Sequence, residues 1–134
     1  MRTSFTQALF LKVLLLVSPS LLAATDAEVV KSLEQVSRKI SKTLPSGSPA
    51  SMLVAVTAGP GKKFTYFSVS STASGKWTPA MKAHSRRIAI NSYCTDPGME
   101  AFKSFGVTVS FNAVDQEGVH INTNNISPKD CRKI

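Results

Sequence analysis

Apolar residues Val29, Val30, Leu33, Val36, Ile40 and Leu44 recur at three- and four-residue steps, with Lys31, Glu34, Arg38, Lys39 and Lys42 between them. That spacing gathers the apolar set on one narrow stripe of a helix over residues 28–44. Pro45, Gly47 and Pro49 then stop the helix, since proline has no donor to continue the ladder. Such a stripe fits against the domain's own sheet, the commoner arrangement; a membrane-surface or partner-binding helix is the alternative.

Two strand patterns follow. Residues 51–57 (Ser-Met-Leu-Val-Ala-Val-Thr) have strand composition, Gly59-Pro60-Gly61-Lys62 has turn chemistry, and residues 63–71 form a second strand. Strands joined so closely pair antiparallel. Their alternation is incomplete: Phe64 and Tyr66 face one way, Phe67 and Val69 the other. After a polar loop at residues 70–75, Thr78-Pro79 places a cap residue before a proline at the first helical position. The helix it opens runs to about Tyr93 with a poorer stripe of Met81, Ile88 and alanines. Asp96-Pro97 repeats the start signal for a short helix bearing Met99, Phe102 and Phe105, ended by Gly106. Val107, Val109, Phe111 and Ala113 alternate with Thr108, Ser110 and Asn112, the cleanest strand in the chain. Residues 115–118 turn it, and Val119, Ile121 and Thr123 form the return strand. The predicted fold is α+β: a four-stranded antiparallel sheet from two hairpins, packed by helices on one face, with one disulfide.

The amino terminus has its own pattern. A short positive start at Arg2, an apolar run over residues 8–17 broken by Lys12, and small residues Ala23-Ala24 are the three parts of a secretory signal peptide. The run is shorter than the roughly 20 residues a membrane span needs. Residues 1–24 are therefore assigned to a signal peptide and residues 25–134 to one domain that is secreted or periplasmic, with no membrane span of its own. Cleavage after Ala24 or after Ala27 both fit; Thr25 with Glu28 makes a capping box, which favours the former. A domain of this size buries a small core, and a cross-link helps it.

Two cysteines, Cys94 and Cys131, permit one intramolecular bridge. In the chain-entropy account, closing that loop stabilises the fold by about 4 kcal/mol. Redox-active pairs usually sit two residues apart, and a metal site would want more Cys or His nearby. Export favours the structural bridge.

The second half carries a further pattern: residues 91–99 (Asn-Ser-Tyr-Cys-Thr-Asp-Pro-Gly-Met), Phe105-Gly106-Val107, the turn at 115–118, and Ser127-Pro128-Lys129-Asp130-Cys131. It resembles a family of small exported bacterial proteins labelled "putative quorum-sensing-regulated virulence factors". The resemblance covers most of the chain after the leader and is specific around the two cysteines. It implies secretion or a periplasmic location and regulated expression, and possible association with virulence. It implies no reaction and no catalytic residue. The polar run Asn122-Thr123-Asn124-Asn125 departs from the more apolar stretch expected before the second cysteine.

Candidate chemistry is sparse. The two histidines, His84 and His120, fall in no His-x-x-x-His spacing, and the chain has no Gly-x-Ser-x-Gly elbow. Gly59-Pro60-Gly61-Lys62-Lys63 lacks the phosphate-loop spacing, and its proline removes a donor. Acids are scarce and Trp77 is the single tryptophan, a poor basis for a two-carboxylate glycosidase. No catalytic residue, metal ligand or cofactor is assigned. Charge remains: Lys and Arg number 16 against 8 acids, a net charge of +8. The adjacent pairs Lys62-Lys63, Arg86-Arg87 and Arg132-Lys133 are candidate anion-binding residues, for lipopolysaccharide or cell-wall polymers rather than nucleic acid. Plain solvation is the preferred explanation, since scattered pairs do not make a patch. The functional expectation is a small non-enzymatic binding protein whose partner is an envelope or extracellular macromolecule. The alternative is a small envelope hydrolase using His84 or His120 with an acid.

Overall fold

The structure, a computed structural model, describes residues 25–133, and the side chains of residues 25–132. The expected signal peptide, residues 1–24, lies outside the described residues, as does the side chain of the candidate Lys133. Helix α1 (Asp26–Ser41) begins at the expected capping box. Glu28 N–H donates to Thr25 Oγ1 at 3.2 Å, and Thr25 N–H donates to Glu28 Oε1 at 3.1 Å. Its stripe is core: Val29, Leu33, Val36 and Ile40 are all buried. The helix ends a turn before Leu44, because a residue preceding proline is pushed out of the α region and Thr43 turns its hydroxyl onto the Ile40 carbonyl.

The sheet corrects the sequence reading. It has five strands, not four, in the order β1-β2-β3-β4-β5, and it is mixed rather than antiparallel. Strand β1 (Ser46–Ser48) is a short edge piece in what looked like a Pro-Gly stop. Strands β2 (Ser51–Ala58) and β3 (Lys63–Ser70) are the first hairpin, and β4 (Thr108–Asp115) and β5 (His120–Ile126) the second. The two hairpins join through β3 and β4, which run parallel. After β3 the chain passes through helix α2 (Pro79–Thr95) and helix α3 (Glu100–Ser104), which bring it back to the end of the sheet where β3 began. There Thr108 N–H donates to the Lys62 carbonyl at 2.9 Å, setting β4 beside β3. A crossover with helices is the connection parallel neighbours require.

Register assigns the faces. Val56, Phe64, Val109 and Ile126 point to the helices, as do Tyr66 and Phe111. The first four join α1, Ala89 and Tyr93 of α2, Phe102 of α3 and Val107 in one buried cluster. Tyr93, fully buried, donates its hydroxyl to the Val107 carbonyl at 2.8 Å. Burial holds that phenol neutral, and the Asp130 charge adds to it; its pKa is pushed up to about 12. The Cys94–Cys131 disulfide, S–S 2.05 Å and Cα–Cα 5.4 Å, ties the end of α2 to the terminal 3-10 segment Pro128–Lys133.

Candidate functional site

The two long helices lie towards opposite edges of the sheet: α1 packs on β2, and α2 packs on β5 and the terminal 3-10 segment. At about 4.8 Å per strand, β2 and β5 are about 14 Å apart, beyond the 8–10 Å of directly packed helices. At one end of the sheet Phe64, Val109 and Phe102 fill the gap. Further along, a cavity of about 300 Å³ opens on this face. Its floor is Leu53 of β2, Tyr66 and Ser68 of β3, and Phe111 of β4. Ser46 and Gly47 of β1 and Ser51 of β2 form the wall.

Each lining residue has a local cause. Tyr66 and Phe111 are register partners across the parallel pair, so their rings stack with centroids 5.4 Å apart and planes 10° from parallel. Burial, and secondarily the Asp96 charge, pushes the Tyr66 phenol pKa up, so it stays a neutral hydroxyl. Gly47 holds φ at +119°, and a Cβ there would lie 2.7 Å from the Ser51 carbonyl oxygen. Only glycine lets β1 approach β2 that closely. The cavity thus offers aromatic and aliphatic surface edged by neutral hydroxyls. It can hold an apolar group; none of its lining side chains is an acid, an amine or an imidazole.

The histidines lie elsewhere. His84 is exposed on α2. His120 is exposed on β5 with Nε2 2.8 Å from Thr123 Oγ1, which donates to Asn112 Oδ1 at 3.3 Å. That chain has the wrong order for nucleophilic catalysis: the third group holds the hydroxyl instead of orienting the ring. Among the described residues no three His, Cys, Asp or Glu gather as a metal site. Asp115 is spent on structure, accepting backbone N–H groups from Ser74, Glu117 and Val119, each at 2.9 Å.

Of the candidate cations, Lys62 pairs with Asp26 at 3.3 Å and Arg86 with Asp130 at 3.9 Å. The second pair brings α2 against the tail beside the disulfide, where Arg132 is exposed. Arg87 is exposed on α2, and Lys63 is half-buried at the start of β3. The cavity was missed in the sequence because its lining is ordinary strand residues. Only Gly47 and the aromatic pair hinted at it, and pairing Tyr66 with Phe111 required the parallel register.

No family model matches the chain, and no curated protein matches it. Solved structures do share its fold. One is a "putative secreted protein" from Pseudomonas aeruginosa, 17% identical, with a TM-score of 0.71, covering 82% of this chain and 100% of the other. Another is EpsS, the pilotin of the Vibrio vulnificus type 2 secretion system, 12% identical, with a TM-score of 0.66, covering 79% and 94%. A third is the type II secretion system pilotin AspS from Vibrio cholerae, 17% identical, with a TM-score of 0.59, covering 78% and 97%. At these identities the likeness establishes the fold. All three names refer to secretion, in accord with the expectation of a small exported protein; none carries the quorum-sensing label, which is taken no further.

Proposed function

We propose that this is a non-enzymatic exported interaction protein that seats an apolar segment of an envelope macromolecule over Leu53, Tyr66 and Phe111. The observation behind this reading is a concave apolar site built without a carboxylate, amine or imidazole, on a sheet face otherwise covered by its helices. A few hydroxyls around an apolar floor orient a ligand without reacting with it. The kinship of fold with two secretion-system pilotins supports an envelope partner, in the narrower form a component of a secretion assembly. Both histidines stand away from the cavity, which favours the binder over the hydrolase.

The test is a comparison of captures from the native envelope. Oxidised mature protein carrying a photocrosslinker in place of Ser68 should trap one partner stoichiometrically; a probe in place of exposed Thr57 should not. Phe111→Ser should weaken that capture at least tenfold while the protein stays folded. Turnover of an envelope component without stable capture, or capture indifferent to Phe111→Ser, would sink the reading.

A further inference from the structure

Acids and bases are sorted along this chain. No Asp or Glu occurs between Glu34 and Asp96, a stretch that holds the end of α1, the whole of α2 and the Lys76-Trp77 lead into it. The fold brings the cations of both helices to one end of the helical layer. Asp26 pairs with Lys62 at the β2–β3 turn, so α1 starts at that end of the sheet and finishes at the other. Ser74 is held by Asp115, the last residue of β4, and the Tyr93 hydroxyl reaches Val107, just before the first. Helix α2 therefore runs the opposite way and starts where α1 finishes. Arg38, Lys39 and Lys42 of α1, and Lys76, Lys82 and Arg87 at α2, are all exposed. Both helices pack on the same sheet face, so their outer sides look the same way. The carboxylates at this end are Asp115, spent on backbone N–H groups, and Glu117 of the β4–β5 turn. Helix stability does not ask for this arrangement on α2. The N-terminal end of a helix favours acids, yet the first turn of α2 holds none, while Lys76 precedes it and Lys82 closes it. Met81 and Ile88, two of the exposed large apolar side chains, also belong to α2. Two turns separate them, so they share one side of the helix, turned from the tail to which Arg86 and Cys94 are tied. Lys82 follows Met81 and Arg87 precedes Ile88, which sets a cation roughly 100° round the helix on each side of the pair.

We propose that α2 lies on an anionic lipid bilayer, with Met81 and Ile88 entering the boundary of headgroups and acyl chains while the cations of both helix ends meet lipid phosphates. Charge selects an anionic partner. Shape selects a bilayer over an acidic protein, because the apolar pair stands on a convex helix ridge among long, flexible cations spread over two helices. A protein would have to supply a pocket for each apolar side chain and a carboxylate for each cation. Mobile lipids take in apolar groups without matching their shape, and Lys and Arg keep their charges among the headgroups. The contact is superficial: among the described residues no helix is long and apolar enough to cross a membrane. It uses the outer side of the helices, so it holds whatever the cavity binds.

Co-sedimentation of the oxidised mature protein with lipid vesicles tests it. Vesicles of phosphatidylglycerol and phosphatidylethanolamine should bind it at least tenfold more tightly than vesicles of phosphatidylcholine alone, and added salt should weaken the binding. Ile88→Gln, which removes no charge from an exposed position, should weaken it at least threefold with the thermal midpoint unchanged. Lys82→Gln with Arg87→Gln should weaken it at least tenfold, and more than the charge-matched pair Lys31→Gln with Lys63→Gln, which lies outside the patch. No binding to the anionic vesicles would overturn the proposal. So would equal losses from the two charge-matched pairs, or indifference to Ile88→Gln, since either would leave only the net charge of the chain at work. Binding broken by Phe111→Ser but not by Ile88→Gln would put a lipid chain in the cavity and overturn it equally. An envelope protein whose capture is lost with Lys82 and Arg87, from a wild type that ignores the vesicles, would assign the patch to an acidic protein and overturn it as well.

Discussion

Asp115 shows how much structure one side chain can hold. It ends β4, and its two oxygens accept three backbone N–H groups, two within its own turn and one from Ser74 in the loop leading to α2. Those donors, Ser74 first, hold its carboxyl below the ordinary value of 3.8, against an opposing effect of burial. A folded-state pKa below the unfolded one means stability that is fully present above the unfolded value and lost as pH falls towards the folded one. Between about pH 5 and pH 3, wild type should therefore lose more of its thermal midpoint than Asp115→Asn. Calorimetry across that range checks the difference, and equal slopes would show that the charge contributes nothing. In the sequence Asp115 was simply a turn residue. Its turn was legible because Asp-x-x-Gly is local chemistry, whereas its hold on Ser74 was not, since that depends on where a distant loop comes to rest. The cavity was hidden for the same reason: Tyr66 and Phe111 become a pair only once two strands far apart in sequence lie side by side.

Elements were read best where local signals were strongest. The capping box, the proline-initiated α2 and the alternation of β4 all appear where the pattern placed them. Strand β1 was missed because a Ser-Gly-Ser edge between prolines has no hydrophobic period, and Gly47 was taken only as a breaker. The weak stripe of α2 also has a physical reason. Only Ala89 and Tyr93 are buried along it, while Met81 and Ile88 remain 37% and 56% exposed. A helix so lightly packed depends on other attachments, and the disulfide is one of them, closing a loop of 37 residues. Replacing Cys94 and Cys131 together with Ala should cost about 2–4 kcal/mol, mostly by freeing the unfolded chain. Urea unfolding of the double variant and of the oxidised parent measures it. A loss under about 1 kcal/mol would mean that the ion pair of Arg86 with Asp130 and the other tail contacts already hold the segment.

At the scale of the whole molecule, the sequence predicted the strands of both hairpins but not how the hairpins join. Either edge of the first hairpin could meet either edge of the second, and periodicity is silent on the choice. The crossover through α2 and α3 decides it by returning the chain to the end of the sheet where β3 starts. Charge is the other property of the whole molecule, and here the sequence offered pairs without positions. Lys62 and Arg86 each face a carboxylate, but exposed ion pairs are weak and leave the field of a +8 chain largely in place. Arg86, Arg87 and Arg132 belong to α2 and the tail that the disulfide joins, whereas Lys62 and Lys63 sit at the turn into β3. If the first group forms an anion-binding patch, replacing all three arginines with Gln should lower retention on an anionic polymer more, per charge removed, than replacing both lysines. Retention should also fall steeply with salt, because the Debye length is only about 10 Å at 0.1 M. Losses in proportion to the charges removed, three to two, would mean that the polymer senses net charge alone and that these residues solvate the protein without marking a site. Retention insensitive to salt would place the contact on apolar surface and return attention to the cavity over Tyr66 and Phe111.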